Sequence, residues 1–201
     1  MIAILDYDMG NVASIKNMLE YIGFDATITS DHNKLNEASH LILPGVGSFD
    51  QGMKNLHSNN LVQFLRQTKK PLLGICLGMQ LLGIDSEEGS EKGLKLIPFN
   101  NVKFKFSNKE LKVPHMGWNT IQVMDESNYL LKGMTSNDRF YFVHSYYADP
   151  IDEKISILST NYGFDFTSGV NHKNFYGVQF HPEKSHLFGM KLLKNFGEIH
   201  A

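Results

Sequence analysis

Cysteine is scarce in this sequence, because Cys76 is the only one among 201 residues. A single cysteine excludes an intrachain disulfide, and it excludes a multi-cysteine zinc site or iron–sulfur cluster held by this chain alone. The nine histidines contain no His-Glu-x-x-His pair. We therefore expect no metal and no cofactor, and the lone thiol fits a reducing compartment such as the cytoplasm.

The sequence also lacks an excess of charge of one sign and a long apolar run. Nineteen Lys and Arg residues oppose 21 Asp and Glu residues, for a net charge of −2. Such a chain has no basic field to hold nucleic acid. No run approaches the 18 or so apolar residues of a membrane span, and the first residues contain no cationic leader. We expect a cytoplasmic protein that binds neither nucleic acid nor membrane.

No low-complexity tract, internal repeat or Pro/Ser-rich linker interrupts the chain. The composition, 42% hydrophobic and 20% charged, is typical of a globular protein and excludes disorder as the main state. A length of 201 residues suits one sizeable α/β domain with its own core. These features predict a single domain over residues 1–201.

Hydrophobic patterning in the first half predicts strands that alternate with helices. Apolar strands are predicted at 2–5, 40–43 and 71–75, and helices at 12–22 and 50–66. Continuous apolar strands separated by helices indicate a parallel sheet covered on both faces.

The second half has a different pattern, with strands predicted at 102–106, 139–144, 156–159 and 175–180. A helix is predicted at 187–199, with its apolar residues on one face. Because the alternation is that of half-exposed strands, this half is predicted to be mixed or antiparallel.

The only cysteine lies in the segment Gly74-Ile75-Cys76-Leu77-Gly78, directly after a predicted strand. This Gly-x-nucleophile-x-Gly pattern is typical of a sharp strand-to-helix turn, where bulkier residues at the glycine positions would collide with neighbouring elements. Such a turn exposes the nucleophile at the carboxyl edge of the sheet, and a helix N-terminus favours the thiolate. A free cysteine is more often simply buried, but this glycine frame favours a catalytic nucleophile.

A thiolate nucleophile needs a base, and the base needs a group that orients it. His181 follows an apolar strand, Pro182 ends that strand, and Glu183 lies two positions beyond the histidine. A carboxylate at this spacing can turn back and hold the imidazole in one tautomer, as the third member of a catalytic triad does. A surface histidine beside an exposed glutamate is the ordinary alternative, and the position after a strand favours catalysis instead.

Small residues follow the second predicted strand at Gly45, Val46 and Gly47. At a sheet edge, such residues let backbone N–H groups approach a developing oxyanion. The dinucleotide-binding pattern would need a glycine three residues after Gly47, where the sequence has Asp50. Taken alone, the segment fits an ordinary turn equally well.

Together these motifs resemble those of the class I glutamine amidotransferases, and more narrowly those of the glutaminase subunits of imidazole glycerol phosphate synthases. The resemblance covers essentially the whole chain and implies a flavodoxin-like α/β fold, with a mixed, mostly parallel sheet and helices on both faces. The motifs that carry it occur in order at residues 44–47, 74–80, 114–119, 141–146, 174–180 and 181–185.

The resemblance implies a glutaminase reaction. Cys76 would attack the side-chain amide of glutamine, forming a γ-glutamyl thioester and releasing ammonia. His181 would protonate the leaving amine and then activate water, while Glu183 orients His181. The backbone N–H of Leu77 and one from the loop 45–47 would form the oxyanion hole.

The resemblance also places four residues beside the α-amino and α-carboxylate groups of L-glutamine. Glu88 has its own rationale, since a carboxylate pairs with the ammonium of a free amino acid. An exposed acid within the pair Glu87-Glu88 is an equally good interpretation. The four residues are Gln80, Glu88, Ser145 and Tyr146.

A partner subunit is implied as well, because ammonia released into neutral water is mostly protonated and no longer nucleophilic. In the resembled family the partner is a (βα)8-barrel cyclase, in a heterodimer that makes imidazole glycerol phosphate and aminoimidazole carboxamide ribotide in histidine biosynthesis. The glutaminase is expected to be weak without that partner. Residues matched to the contact are Met116, Gly117, Trp118, Asn119, His144 and Lys184.

Three other functions remain open. A paralogous glutaminase would supply ammonia to a sugar-amidating partner in surface polysaccharide biosynthesis. A cysteine hydrolase of the same fold would act on other amides, although Gln80 argues against it. A binding module would contain Cys76 only as a structural residue.

One residue departs from the resembled pattern. Asp8 stands in the first strand–helix loop, where related sequences often have glycine. If that turn needs a positive φ, aspartate adopts it less readily than glycine.

Overall fold

The computed structural model describes residues 1–107 and 110–200. Strands, α-helices and short 3₁₀ helices alternate along the chain. The strands are β1 Ile2–Leu5, β2 Ala26–Thr29, β3 His40–Leu43, β4 Leu72–Ile75, β5 Phe99–Lys103, β6 His115–Thr120, β7 Gln122–Val123, β8 Arg139–His144, β9 Tyr146–Pro150, β10 Ser156–Asn161, β11 Asp165–His172 and β12 Phe175–Val178. The α-helices are α1 Val12–Tyr21, α2 His32–Glu37, α3 Phe49–Ser58, α4 Leu61–Gln67, α5 Leu77–Leu82 and α6 His186–Gly197, and the 3₁₀ helices are Tyr129–Leu131, Glu153–Ile155 and Pro182–Lys184.

The main sheet has the strand order β2-β1-β3-β4-β12-β11-β10-β7. From β2 to β12 the neighbouring strands are parallel, and from β12 to β7 they are antiparallel. Strand β9 joins β11 to β5, while β6 and β8 form a separate antiparallel pair. The predicted mixed sheet with a parallel core is therefore confirmed.

Side chains of the central strands alternate between two buried cores. Ile2 and Ile4 of β1 face one core together with α1 and α6, whereas Ala3 and Leu5 face the other together with α3, α4 and α5. Alternation on a strand sends neighbouring side chains to opposite faces of the sheet. The helices on both faces are thus present as expected.

Most predicted elements match the structure to within about two residues at each end, and two differ more. The helix predicted at 50–66 is divided into α3 and α4, because Asn60 has a left-handed backbone (φ 57°) that asparagine adopts more readily than most residues. The strand predicted at 102–106 is Phe99–Lys103, since its register with β9 ends where Lys103 lies opposite Tyr146. Beyond that pair, the Phe104 N–H donates to the Ser145 carbonyl.

The first strand–helix loop does need a positive φ, because Asp8 has φ 62°. Aspartate tolerates this region through its short polar side chain. Within residues 1–107 and 110–200, no helix has the length and apolarity needed to cross a membrane.

Candidate active site

The turn between β4 and α5 presents Cys76 in a strained backbone conformation, with φ 54° and ψ −111°. Glycine is required on both sides of it. A Cβ on Gly74 would lie 2.7 Å from the backbone of Met79, and a Cβ on Gly78 would lie 1.9 Å from the carbonyl oxygen of Leu43. Close packing of α5 against β3 and β4 therefore holds the cysteine at the carboxyl end of the parallel strands, with 6% of its surface exposed.

His181 and Glu183 lie next to this turn because β12 pairs with β4 in parallel. His181 Nδ1 is 2.8 Å from Glu183 Oε1, and both side chains are almost completely buried. The Ser185 hydroxyl donates to the His181 carbonyl (2.6 Å), and the His181 N–H donates to the Tyr141 carbonyl (2.9 Å). The imidazole is thus held on its backbone side and at Nδ1, with Nε2 left for proton transfer.

The protonated form of His181 is favoured despite its burial. Burial alone would lower the pKa of this imidazole. Its interactions with Cys76 and Glu183 outweigh burial and raise the pKa to about 9. Nε2 makes no hydrogen bond of normal geometry within the described residues. Cys76 and His181 line the same cavity, so the thiol and the imidazole face a common space.

The N–H groups of Val46, Gly47 and Leu77 donate to no protein acceptor within the described part of the chain. Leu77 is the first residue of α5, where backbone N–H groups lack an intrahelical partner. Val46 and Gly47 line the same cavity as Cys76 and Leu77. Donors of this kind beside a nucleophile can stabilise an oxyanion.

The loop after β3 is packed tightly against the turn that carries Cys76. A Cβ on Gly45 would lie 2.8 Å from both the Gly78 nitrogen and the Leu77 Cβ. The buried Tyr7 hydroxyl donates to the Pro44 carbonyl. Glycine at position 45 therefore permits the approach of the two segments, although Gly45 itself does not line the cavity.

The cavity above Cys76 has a volume of about 280 Å³. Its size suits a small ligand such as an amino acid, since pockets for drug-sized molecules start at about 300 Å³. A larger cavity of about 660 Å³ is bordered by α2 and α4 and contains none of the predicted catalytic residues. The smaller cavity is lined by Val46, Gly47, Cys76, Leu77, Gln80, Glu88, Pro114, Val143, His144, Ser145, Tyr146 and His181.

Glu88 is fixed at the cavity by a reciprocal pair of carboxylate contacts. Its Oε2 accepts from the Phe49 N–H at the start of α3 (2.7 Å). In return the Asp50 carboxylate accepts from the N–H groups of Ser90 and Glu91, and these bonds hold the pKa of Asp50 below its usual range. Glu88 therefore has a structural role as well as a position on the cavity wall.

Gln80 is also on the cavity wall, but its side-chain amide donates to two protein acceptors. Gln80 Nε2 contacts the Tyr146 carbonyl (3.2 Å) and Gln179 Oε1 (3.1 Å). Glu88, Ser145 and Tyr146 also line the cavity. Burial and the carboxylate of Glu88 raise the pKa of Tyr146.

Sequence reasoning missed Gln179 and Asp50 as contributors to this site. Gln179 is fully buried, and its Nε2 lies 3.7 Å from Cys76 Sγ. Its signal in the sequence was a polar residue at an inward-facing position between Val178 and Phe180. Asp50 carried no signal, because the backbone groups that it accepts from are 40 residues away in sequence.

The predicted contact segment on β6 has two distinct faces. Met116 and Trp118 point outward and are 62% and 42% exposed. Trp118 stacks on the His186 ring, with centroids 5.5 Å apart. Gly117, with φ 129°, and half-buried Asn119 alternate with them on the inner side.

Lys184 and His144 are placed differently from each other. Lys184 is exposed, with its Nζ 5.5 Å from the centre of the Tyr141 ring. His144 is only 5% exposed and contacts His115 and the Tyr146 carbonyl. The structure therefore places His144 in the cavity wall, with almost no surface for a partner to contact.

No group of three or more His, Cys, Asp or Glu side chains within residues 1–107 and 110–200 has the geometry to hold a metal ion.

The fold and this site define a class of protein, and a family model agrees with them. The model for class-I glutamine amidotransferases matches residues 3–199. The chain belongs to this family, and glutamine amidotransferase activity comes with that membership.

Two curated relatives from Methanococcus maripaludis are similar over their full length. Imidazole glycerol phosphate synthase subunit HisH 2 is 57% identical over 98% of this chain and 98% of its own. Subunit HisH 1 is 45% identical over 99% of this chain and 100% of its own. A solved structure of a glutamine amidotransferase superposes with a TM-score of 0.75 at 18% identity, covering 98% of this chain and 97% of that one, which supports the fold alone.

Proposed function

We propose that this chain is the glutaminase subunit of an imidazole glycerol phosphate synthase, in which Cys76, His181 and Glu183 form the catalytic triad. The observation that carries the proposal is the arrangement of a strained cysteine that lines the cavity beside a buried histidine–glutamate pair, whose Nδ1 and Oε1 atoms are 2.8 Å apart. Similarity to the HisH subunits over the whole chain supports the same conclusion.

In the proposed reaction, Cys76 Sγ attacks the amide carbon of glutamine and the carbonyl oxygen becomes an oxyanion. The N–H groups of Leu77 and Val46 are the donors available to that oxygen. His181 transfers its proton to the leaving nitrogen, so that ammonia departs and a thioester remains. Water then attacks the thioester while His181 accepts its proton, which releases glutamate and restores Cys76.

Recognition of glutamine falls to the opposite wall of the cavity. Both Gln80 N–H groups point to protein acceptors, so its carbonyl oxygen is the group that accepts from the ligand ammonium. Glu88 contributes the negative charge beside it. Ser145 and Tyr146 border the remaining space, where the α-carboxylate lies.

The proposed partner is a (βα)8-barrel cyclase that covers the mouth of the cavity. We define the apolar rim as Val46, Val113, Met116 and Trp118, which are 40–62% exposed. Val46 lines the cavity, Val113 precedes the lining residue Pro114, and Met116 and Trp118 follow on β6. Exposed apolar residues grouped in this way indicate a protein interface. A covered mouth also keeps ammonia from being protonated in bulk water.

A second candidate differs only in the acceptor of the ammonia. The two Methanococcus maripaludis relatives bear the same subunit name, and this chain is 57% identical to the one numbered 2 but 45% identical to the one numbered 1. An organism with two copies of such a subunit can use them for different ammonia acceptors, so the second candidate acceptor is a sugar-amidating enzyme.

Reconstitution distinguishes the two candidates. The chain is purified with the histidine-pathway barrel subunit or with a sugar-amidating candidate, and glutamine-driven product is measured for each pair. We expect imidazole glycerol phosphate with the barrel subunit. Activity only with the sugar-amidating enzyme would overturn the first candidate, and no product with either, together with no glutaminase activity, would overturn both.

A further inference from the structure

We propose that Gln179 is a positioning residue for Cys76, held in place by a hydrogen-bond chain that runs from Asn119 through the pair His115–His144 to Gln80. This inference rests on the proposed function, because it assigns a role toward the same nucleophile. The starting observation is a fully buried side-chain amide with its Nε2 3.7 Å from Cys76 Sγ.

The orientation of the Gln179 amide is determined by a backbone carbonyl. The Tyr146 carbonyl is only an acceptor, so Gln80 must direct Nε2 toward it, at 3.2 Å. The same Gln80 Nε2 lies 3.1 Å from Gln179, which must therefore direct Oε1 toward Gln80. Gln179 is left with its N–H group toward Cys76 Sγ.

Two buried histidines anchor the other side of the Tyr146 carbonyl. His144 Nδ1 donates to that carbonyl (2.8 Å), so its Nε2 accepts from His115 Nδ1 (2.9 Å). His115 Nε2 in turn accepts from Asn119 Nδ2 (3.2 Å), which also donates to the Asn161 carbonyl (2.9 Å). The donor and the acceptor of every hydrogen bond in this hydrogen-bond chain are therefore determined.

The histidine pair stays neutral, as these donor and acceptor roles require. His115 and His144 are a directly opposed pair on β6 and β8, and they are packed among the rings of Phe104, Phe142 and Phe166. Burial lowers the pKa of His115 to about 4 and that of His144 to about 3. Neither ring gains a second proton near neutral pH.

The hydrogen-bond chain directs the Gln179 N–H toward the sulfur of Cys76, which is negatively charged in the thiolate form. Cys76 Sγ has the Val143 carbonyl 3.9 Å away, which accepts from a thiol but repels a thiolate. The Gln179 N–H and the protonated His181 stabilise the thiolate instead, since hydrogen bonds to an anionic acceptor are the stronger ones. Gln179 thus fixes the position of the sulfur in its reactive form.

The test is the alkylation of Cys76 in the full chain. Iodoacetamide and a γ-glutamyl diazo-ketone are used as probes, and the rate is followed against pH. Gln179→Met removes the donor at nearly constant volume, and we expect alkylation to slow by roughly 10- to 100-fold near neutral pH, with its profile moved to higher pH. With the reconstituted partner, kcat for glutamine-dependent synthesis falls as well.

Matched variants separate positioning from loss of stability. Asn195→Leu removes a buried amide that donates to Leu130 and Lys132, far from the cavity, and its alkylation profile stays that of the parent. If Gln179→Met does not fold, Gln179→Asn withdraws the donor instead, and the same slower alkylation is expected.

The role of the hydrogen-bond chain is tested by substitution of His144. His144→Leu removes the donor to Tyr146 and slows alkylation, whereas His144→Asn keeps a donor near Nδ1 and restores the rate. Because the chain acts through Gln179, the double variant Gln179→Met/His144→Leu is expected to be no slower than Gln179→Met alone.

Two results have different meanings. If the diazo-ketone fails to label Cys76 in the parent chain, the proposed function is wrong. If it labels the parent and the Gln179 variants keep the parental rate and pH profile, or if the Gln179 and His144 effects add independently, the positioning role is overturned and the proposed function stands.

Discussion

The strand-to-helix turn at Cys76 and the cavity wall opposite it are held by the chain in different ways. The glycines that the turn needs lie within five residues, since Gly74 and Gly78 permit α5 to pack against β3 and β4 around Cys76. The wall is assembled from distant segments, because Gln80 contacts residues 66 and 99 positions away. A local backbone requirement leaves a pattern in the sequence, whereas a contact made by topology leaves none.

The largest effect is expected at the turn. Cys76→Ala removes the nucleophile, so glutamine-dependent synthesis with the reconstituted partner should be lost completely. Ammonia-dependent synthesis should persist, because that reaction does not use the thiol. Both rates are measured on one preparation, and glutamine-dependent product from the variant would assign Cys76 a structural role only.

The next largest effect is expected at Glu183, whose carboxylate helps to raise the pKa of His181 to about 9. Glu183→Gln should lower kcat by at least about 100-fold, the scale of acid–base catalysis.

In the parent, charged His181 stabilises the fold below pH 6.5, and this contribution is lost as pH rises through about 9. In the variant that loss should occur at lower pH, as urea unfolding between pH 5 and 10 would detect; an unchanged profile contradicts the pairing.

A smaller effect is expected where the wall depends on Asp50. Asp50→Asn weakens acceptance from the Ser90 and Glu91 N–H groups and loosens the loop that carries Glu88. KM for glutamine should rise by about 3- to 10-fold, with kcat nearly constant, given about 1 kcal/mol for such bonds. Asp25→Asn, at an exposed position away from the cavity, is the control. A fall in kcat alone would contradict the assignment of this loop to binding.

The smallest effect tests the break between α3 and α4. Asn60→Ala should cost about 1 kcal/mol of the free energy of unfolding, because alanine is disfavoured at φ 57°. The corresponding fall in Tm is roughly 2–4 °C for a chain of this size. Asn60→Gly should keep the parental Tm, and a loss there as large as for alanine would show that the asparagine side chain matters instead.

Much of the parallel half could be predicted from the sequence, since apolar strands, the glycine-framed cysteine and the segment 181–183 each depend on neighbours in the chain. The mixed sheet is confirmed, while the roles of the site residues stay predictions. Asn60 and Asp8 show what local sequence does not predict. Both residue types tolerate a left-handed backbone, but their presence does not predict one. Asp50 could not be identified, because its partners Ser90 and Glu91 lie 40 and 41 residues away in sequence. A buried amide at Gln179 could be expected, but its contact with Cys76 depends on the pairing of β12 with β4.

The most direct test of the central claim is mass spectrometry of the chain after treatment with the γ-glutamyl diazo-ketone. We predict one adduct, on Cys76, with labelling suppressed by excess glutamine and slowed in Glu183→Gln. An unlabelled Cys76, or labelling that excess glutamine leaves unchanged, would contradict the assignment of this cavity to glutamine.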